Sequence, residues 1–242
     1  MDQDLYLDVV RSESDRLVGV AMANLDTPID FLPGWSERDL LHHIGAVWSM
    51  VIANIDNTSG QGIPFGDAGV APDDSGLAAW LGERRSTLIA ALEAADLDAQ
   101  VWTFAGVLPA RFWIRRMAHE IWMHRWDAQA AVGEADPVDG DLGADAVDEY
   151  ADVSMRHSGR FPERVYPAET LHLHRTDGPG EWMFARGETE NELVVTEEHG
   201  KGAAAVRASG SDLALWVRGR PVTDIEMFGD EAVAAAWQAV SP

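Results

Sequence analysis

The sequence predicts a chain in two parts: a four-helix bundle, then a small α+β domain with a mainly antiparallel sheet. Three observations carry this. Up to about Val132 the apolar residues recur at helical spacing, with polar residues between them. From Gly133 to Gly143 the chain is acidic and contains Gly and Pro, its clearest boundary signal. Beyond that point, short alternating or β-branched runs are separated by turn residues. The two domains are expected at residues 1–135 and 144–242.

Taken in order, Leu5, Val9, Leu17, Val20 and Met22 mark a helix over Asp4 to Leu25, ended by Pro28 and the turn at Pro33 to Trp35. Ser36 starts the next helix with Asp39 three residues later, an approximate capping box, and the helix runs to about Asn57. The Gly-, Pro- and Asp-rich stretch from Asn57 to Ser75 is long for a compact bundle, and such loops are often lids. A third helix is expected over Gly76 to Ala95 and a fourth from near Pro109 to about Val132. The core of such a bundle is a standard place for metal ligands from facing helices. In the second part, Asp145 to His157 can be a helix. Strands are expected over Thr170–His174, Trp182–Ala185, Glu192–Thr196 and Ala204–Arg207, with TDGPGE and EEHGKG as turns. Ser211–Arg218 and Asp230–Val240 read as closing helices, which completes an α+β domain.

Composition excludes several functions. The net charge is −23, shared almost equally between −11 up to Ala135 and −12 beyond it. No basic stripe exists to neutralise phosphates, so nucleic-acid binding is not expected, nor is binding to an anionic membrane surface. No apolar run approaches the ~20 residues needed to cross a bilayer, and no apolar leader follows a basic start, so a soluble cytoplasmic protein is expected. Cysteine is absent, which removes disulfides, thiolate ligands and a protein thiol nucleophile; any thiol chemistry here needs a small-molecule thiol. A single Lys, Lys201, stands against 17 Arg, so a Schiff-base lysine is improbable.

The segment RRMAHEIWMHRWDAQ, Arg115 to Gln129, carries the chemistry. Glu120 and His124 are four apart, and at about 100° per residue they fall within roughly 40° of each other on one helix face. His119 and His124 are five apart, which departs from the HExxH zincin spacing and turns His119 elsewhere. His43, in SERDLLHHIGAVW, sits in an apolar helix where an unsatisfied group is expensive. With it, a His-Glu-His set would hold a divalent metal, expected to be zinc, with a position left open as in catalytic sites. Asp39 and Asp127 lie one turn from His43 and His124, where carboxylates that orient ligand imidazoles are expected. The competing reading is a plain Glu-His side-chain pair on a half-buried helix.

PGWSERDLLHHIGAVW, RRMAHEIWMHRWDAQ, LHLHRTDGPGEW and DLALWVRGR, in that order, resemble the mycothiol-dependent maleylpyruvate isomerase family of actinobacteria over nearly the whole chain. The resemblance implies a DinB-type metal-binding bundle followed by a domain shaped like sterol carrier proteins. It places the family's metal ligands on His43, Glu120 and His124, and not on His42. It implies zinc and mycothiol, the thiolate adding to the double bond of a maleylpyruvate-like substrate before rotation and elimination, or being transferred to a small electrophile. It also implies an arginine near the end of the LWVRGR segment, which matches Arg220, with Arg218 as a second candidate. Arginine suits a carboxylate by its bidentate fork, while the competing role is satisfying the last helical carbonyls. Arg116 and Arg125 are weaker candidates, Arg116 being placed to pair with Glu120. Trp48, Trp122 and Trp126 read as packing. Two other readings remain open on the residues alone: a non-catalytic binding protein, and a metal-dependent hydrolase, which lacks an obvious extra Glu beside the ligands.

Overall fold

Helix α1 (Gln3–Ala23) begins at Asp2, whose carboxylate accepts the free amide of Asp4. It buries Tyr6, Val10, Ser14, Leu17 and Ala21, a stripe at three- and four-residue spacing. That stripe packs along α4 (Arg111–Ala131), which is buried from Ile121 through Gln129. Between them in sequence come α2 (Glu37–Asn54) and α3 (Asp74–Ala94). The capping box at Ser36 and Asp39 is reciprocal, each residue's side chain accepting the other's backbone amide. Gly45 permits the close approach of α2 and α3, because a Cβ there would lie 2.1 Å from the Trp80 ring. Arg85 ties α3 to α1 by donating to Ser14 Oγ and to the Arg11 carbonyl, both at 2.7 Å.

The computed structural model describes residues 2–67, 70–157 and 164–241, and the chain divides into two units, Met1–Asp136 and Pro137–Pro242. Among the described residues, no helix is long and apolar enough to cross a membrane. Of the stretch expected as a lid, residues 65–67 form one 3₁₀ turn and residues 68–69 lie outside the described set.

One feature of the first unit differs from the periodicity. An antiparallel hairpin, β1 (Gln100–Thr103) and β2 (Gly106–Pro109), stands between α3 and α4. Strands of four residues are too short for alternation to stand out, and Gly106 at φ 115° makes the turn. The hairpin is tied in by the Trp102 amide, which donates to the Asn57 carbonyl at 2.8 Å, and by Trp113 Nε1, which donates to the Trp102 carbonyl at 3.2 Å.

In the second unit α5 (Gly140–Glu149) starts five residues before the predicted helix, because Asp139 accepts the amides of Asp141 and Leu142 as its N-cap. It widens into a π turn at Tyr150–Ser154 before the single turn α6 (Met155–His157). Gly143 of α5 meets Gly210 of α7 (Gly210–Trp216) so closely that a Cβ on Gly143 would lie 2.3 Å from the Gly210 carbonyl carbon. The sheet comprises β3 (Leu171–Arg175), β4 (Glu181–Arg186), β5 (Leu193–Thr196), β6 (Ala204–Ala208) and β7 (Glu226–Gly229), in the order β5-β4-β3-β6-β7. Its one parallel pairing is β3 with β6; the other pairings are antiparallel. Strand β7 is exposed along its length and so leaves no hydrophobic alternation to read. Helix α8 (Glu231–Ala239) follows it.

Candidate metal centre

Helices α2 and α4 bring His43, Glu120 and His124 together. Glu120 Oε1 lies 3.1 Å from His43 Nε2 and 3.3 Å from His124 Nε2. One donor atom from each of the three residues falls within 4.8 Å of the others. Two donors at zinc-bond length on a tetrahedral ion lie roughly 3.4 Å apart, so the spacing fits that geometry. The donor chemistry fits as well. Asp127 Oδ2 lies 2.9 Å from His124 Nδ1, which fixes that proton on Nδ1 and points the Nε2 lone pair at the shared space. His43, Glu120 and His124 could therefore hold a divalent ion.

Electrostatics follow from that crowding. Burial pushes the Glu120 carboxyl up, but the Arg116 guanidinium and both imidazoles outweigh it and hold the group well below its usual range. Burial pushes His124 down, yet Asp127 and Glu120 outweigh that and raise it to about 9. An imidazole with a carboxylate on each nitrogen is built to carry positive charge there, whether from a second proton or from a metal at Nε2.

The other sequence candidates are placed as follows. Asp39 does not orient His43. Its carboxylate accepts both the amide and the hydroxyl of Ser36 at the start of α2, because an N-terminal amide is nearer than the ring one turn on. Arg116 pairs with Glu120 across one turn. Arg125 is almost fully buried and committed to Glu13 and Gln129, so it supports the packing of α1 on α4. His119 accepts from Trp122 Nε1 at 3.1 Å and meets the Tyr6 ring, away from the cluster. Trp48 and Trp122 are wholly buried, and Trp126 packs on Phe31. In the second unit Arg218 donates to Glu149 and to the Ala146 carbonyl, both at 3.0 Å, and lies over the Tyr150 ring. Arg220 is half-buried and donates to the Arg218 carbonyl at 3.0 Å.

Three residues of the surroundings escape sequence reasoning. The rings of Trp35 and Phe65 stand 5.1 and 5.9 Å from that of His43. Trp35 sits in the PGW turn immediately before the helix of His43, which was the available signal. Glu37, in the first turn of α2, is wholly buried, and neither of its carboxylate oxygens has a hydrogen-bond partner. Burial, with the charge of Asp127 adding to it, raises this group from 4.5 to about 7. Its position beside a cap in sequence disguises it as an ordinary first-turn acid.

Against known proteins, the sequence model of the mycothiol maleylpyruvate isomerase N-terminal domain matches residues 7–129. No curated protein matches the chain. Among solved structures the chain is similar to crystal structures of the mycothiol-dependent maleylpyruvate isomerase and of a histidine-to-alanine mutant of it. Both are 14% identical, cover 94% of this chain and 93% of theirs, and superpose with TM-scores of 0.61 and 0.62. At that identity the likeness is one of fold.

Proposed function

The chain belongs to the mycothiol maleylpyruvate isomerase family, an enzyme family, and we propose that it uses a metal centre of His43, Glu120 and His124 to activate mycothiol. The observation that carries this is the convergence of three donor atoms from two helices within 4.8 Å, with Asp127 fixing the tautomer of one of them. Zinc bound there would lower the pKa of a coordinated thiol and present it as a thiolate near neutral pH. Glu120 neutralises part of the ion's charge, and Arg116 holds the second carboxylate oxygen so that Oε1 faces the two imidazoles. Asp127 keeps His124 oriented for the ion. Arg220, which matches the family's position near the end of the LWVRGR segment, contributes the positive group that recognises a carboxylated substrate, with Arg218 the second candidate. Helices α1 to α4 serve as a DinB-like bundle within residues 1–135, and residues 144–242 as the sterol-carrier-like companion domain of a cytoplasmic enzyme.

The reaction we assign is cis-trans isomerisation of a maleylpyruvate-like substrate. Transfer of the thiol to a small uncharged electrophile is the second reading, favoured by the apolar walls that Trp35 and Phe65 place beside His43. Zinc-loaded protein is incubated with mycothiol and either maleylpyruvate or a panel of electrophiles, and products are separated by liquid chromatography and read by mass spectrometry. An isomer of unchanged mass supports the first reading, and a stable thiol adduct the second. Product formed at equal rates without mycothiol, or by a His124→Gln variant, refutes both.

A further inference from the structure

The second unit carries a different cluster, unrelated to the centre above. His172 and His174 lie two residues apart on β3 and therefore share one face of the sheet. Glu181 stands directly opposite His174 in the antiparallel register with β4. His172 Nε2 is 3.1 Å from Glu181 Oε2, and His174 Nδ1 is 3.2 Å from Glu181 Oε1. His199, from the loop between β5 and β6, brings its Nδ1 to 2.8 Å from Glu181 Oε2. One donor atom from each of His172, His174 and Glu181 lies within 4.8 Å of the others. Three imidazoles thus surround one carboxylate.

We propose that His172, His174, Glu181 and His199 form a second metal site, for a late first-row divalent cation such as zinc, copper or nickel. The donor set selects that class: imidazole nitrogen suits these ions, whereas magnesium and calcium require a shell of oxygens. Charge favours it too, since three neutral imidazoles add nothing, Glu181 offsets part of the ion's charge, and the chain's −23 concentrates cations. Three of the donors sit on paired strands whose register fixes their spacing before any ion arrives, which lowers the cost of ordering them. The contacts to Glu181 run from 2.8 to 3.2 Å but reach two different oxygens, and His199 stands outside the 4.8 Å set, so its exposed side chain turns inward to complete a tetrahedral shell of roughly 3.4 Å spacing.

The four positions divide the work. His172 is buried, His174 and Glu181 are half-buried, and the His199 side chain is 83% exposed. The ion therefore reaches the hairpin from solvent, and His199 closes over it last. Four protein donors leave no open position, as in sites that stabilise structure. The ion here pins the loop after β5 to the β3–β4 hairpin.

Full-length protein, stripped with EDTA and dialysed, is titrated with zinc sulfate, and bound metal is counted by mass spectrometry after gel filtration. Wild type should bind two equivalents, and a His124→Gln variant should keep one. A His172→Gln, His174→Gln double variant with an unchanged circular dichroism spectrum should also keep one. His199→Ala alters an exposed side chain and spares the fold. It should weaken the second equivalent at least tenfold and remove the metal-dependent rise in melting temperature that survives in His124→Gln. Copper added to His124→Gln should give an electron paramagnetic resonance spectrum split by several nitrogens. The proposal is overturned if His124→Gln binds no metal. It is equally overturned if His199→Ala and the double variant bind two equivalents with wild-type affinity, which leaves the cluster as a hydrogen-bonded brace around Glu181. Neither result touches the centre at His43, whose own equivalent is counted separately in the double variant.

Discussion

Replacing Glu37 with Gln should make the protein more stable, and increasingly so as pH rises. The Glu37 side chain is wholly buried, lacks a hydrogen-bond partner on either oxygen, and feels the charge of Asp127, so its pKa rises from 4.5 to about 7. The sign follows from the direction. A carboxyl whose folded pKa is raised is neutral in both states below pH 4.5 and imposes no penalty there. Between 4.5 and 7 the unfolded chain ionises while the folded chain stays protonated, and stability is lost; above 7 the loss is complete. At about 1.4 kcal/mol per tenfold change in proton affinity, the cost is about 1.4 kcal/mol at pH 5.5 and about 3.4 kcal/mol at pH 8.5. Gln fills the same space without charge, so the variant's advantage over wild type should grow by about 2 kcal/mol between those pH values. Urea unfolding followed by tryptophan fluorescence, in EDTA throughout, measures it; pH 5.5 keeps clear of the isoelectric point near 4.5. If the difference between the two proteins is the same at pH 5.5 and 8.5, Glu37 ionises as freely in the folded chain as in the unfolded one, and the burial argument is refuted.

Other expectations follow from the same geometry. Asp127→Asn should weaken zinc binding roughly 10–100-fold with the fold intact, since it removes the charge beside His124 Nδ1; unchanged affinity by calorimetry would exclude the orienting role. Arg220→Ala should retain metal and circular dichroism spectrum but lose turnover, and a wild-type rate on the confirmed substrate would make this arginine only a helix-end charge. Arg125→Met should cost about 3 kcal/mol, the low end for breaking a buried pair, because Glu13 keeps Arg16 at 3.1 Å. A loss under about 1 kcal/mol in urea unfolding would show that Glu13 is satisfied without Arg125.

Local signals were legible wherever one segment suffices to generate them. The reciprocal cap at Ser36 and Asp39, the helical phase that puts Glu120 beside His124, and the pairing of Arg116 with Glu120 all depend on residues three or four apart, and α2 and α4 carry them as read. Strands β3 to β6 were legible because turn residues bracket them. The β1–β2 hairpin and β7 were not, the first being short and the second exposed along its length, so neither leaves a repeating apolar pattern. Asp39 was read both as a cap and as an acid that orients His43, because spacing alone allows either; the hydrogen bonds to Ser36 decide for the cap.

By itself, then, the sequence determined the helical phases, the caps, the absence of any cysteine thiolate of the protein's own, the lack of a basic stripe for nucleic acid, and which residue types were present to hold a metal. Tertiary structure alone decided which donors meet. His43 is 77 positions from Glu120 along the chain, and it arrives at 3.1 Å because α2 and α4 are packed in one core, their approach shaped by contacts such as Gly45 against Trp80. It alone decided that neither Glu37 oxygen has a hydrogen-bond partner, that Arg218 donates to Glu149 while Arg220 donates to the Arg218 carbonyl, and that His199 of the loop after β5 meets Glu181. The physical reason is the same in each case. Periodicity records the direction a side chain leaves its own element, whereas burial and electrostatics depend on what another element places in front of it.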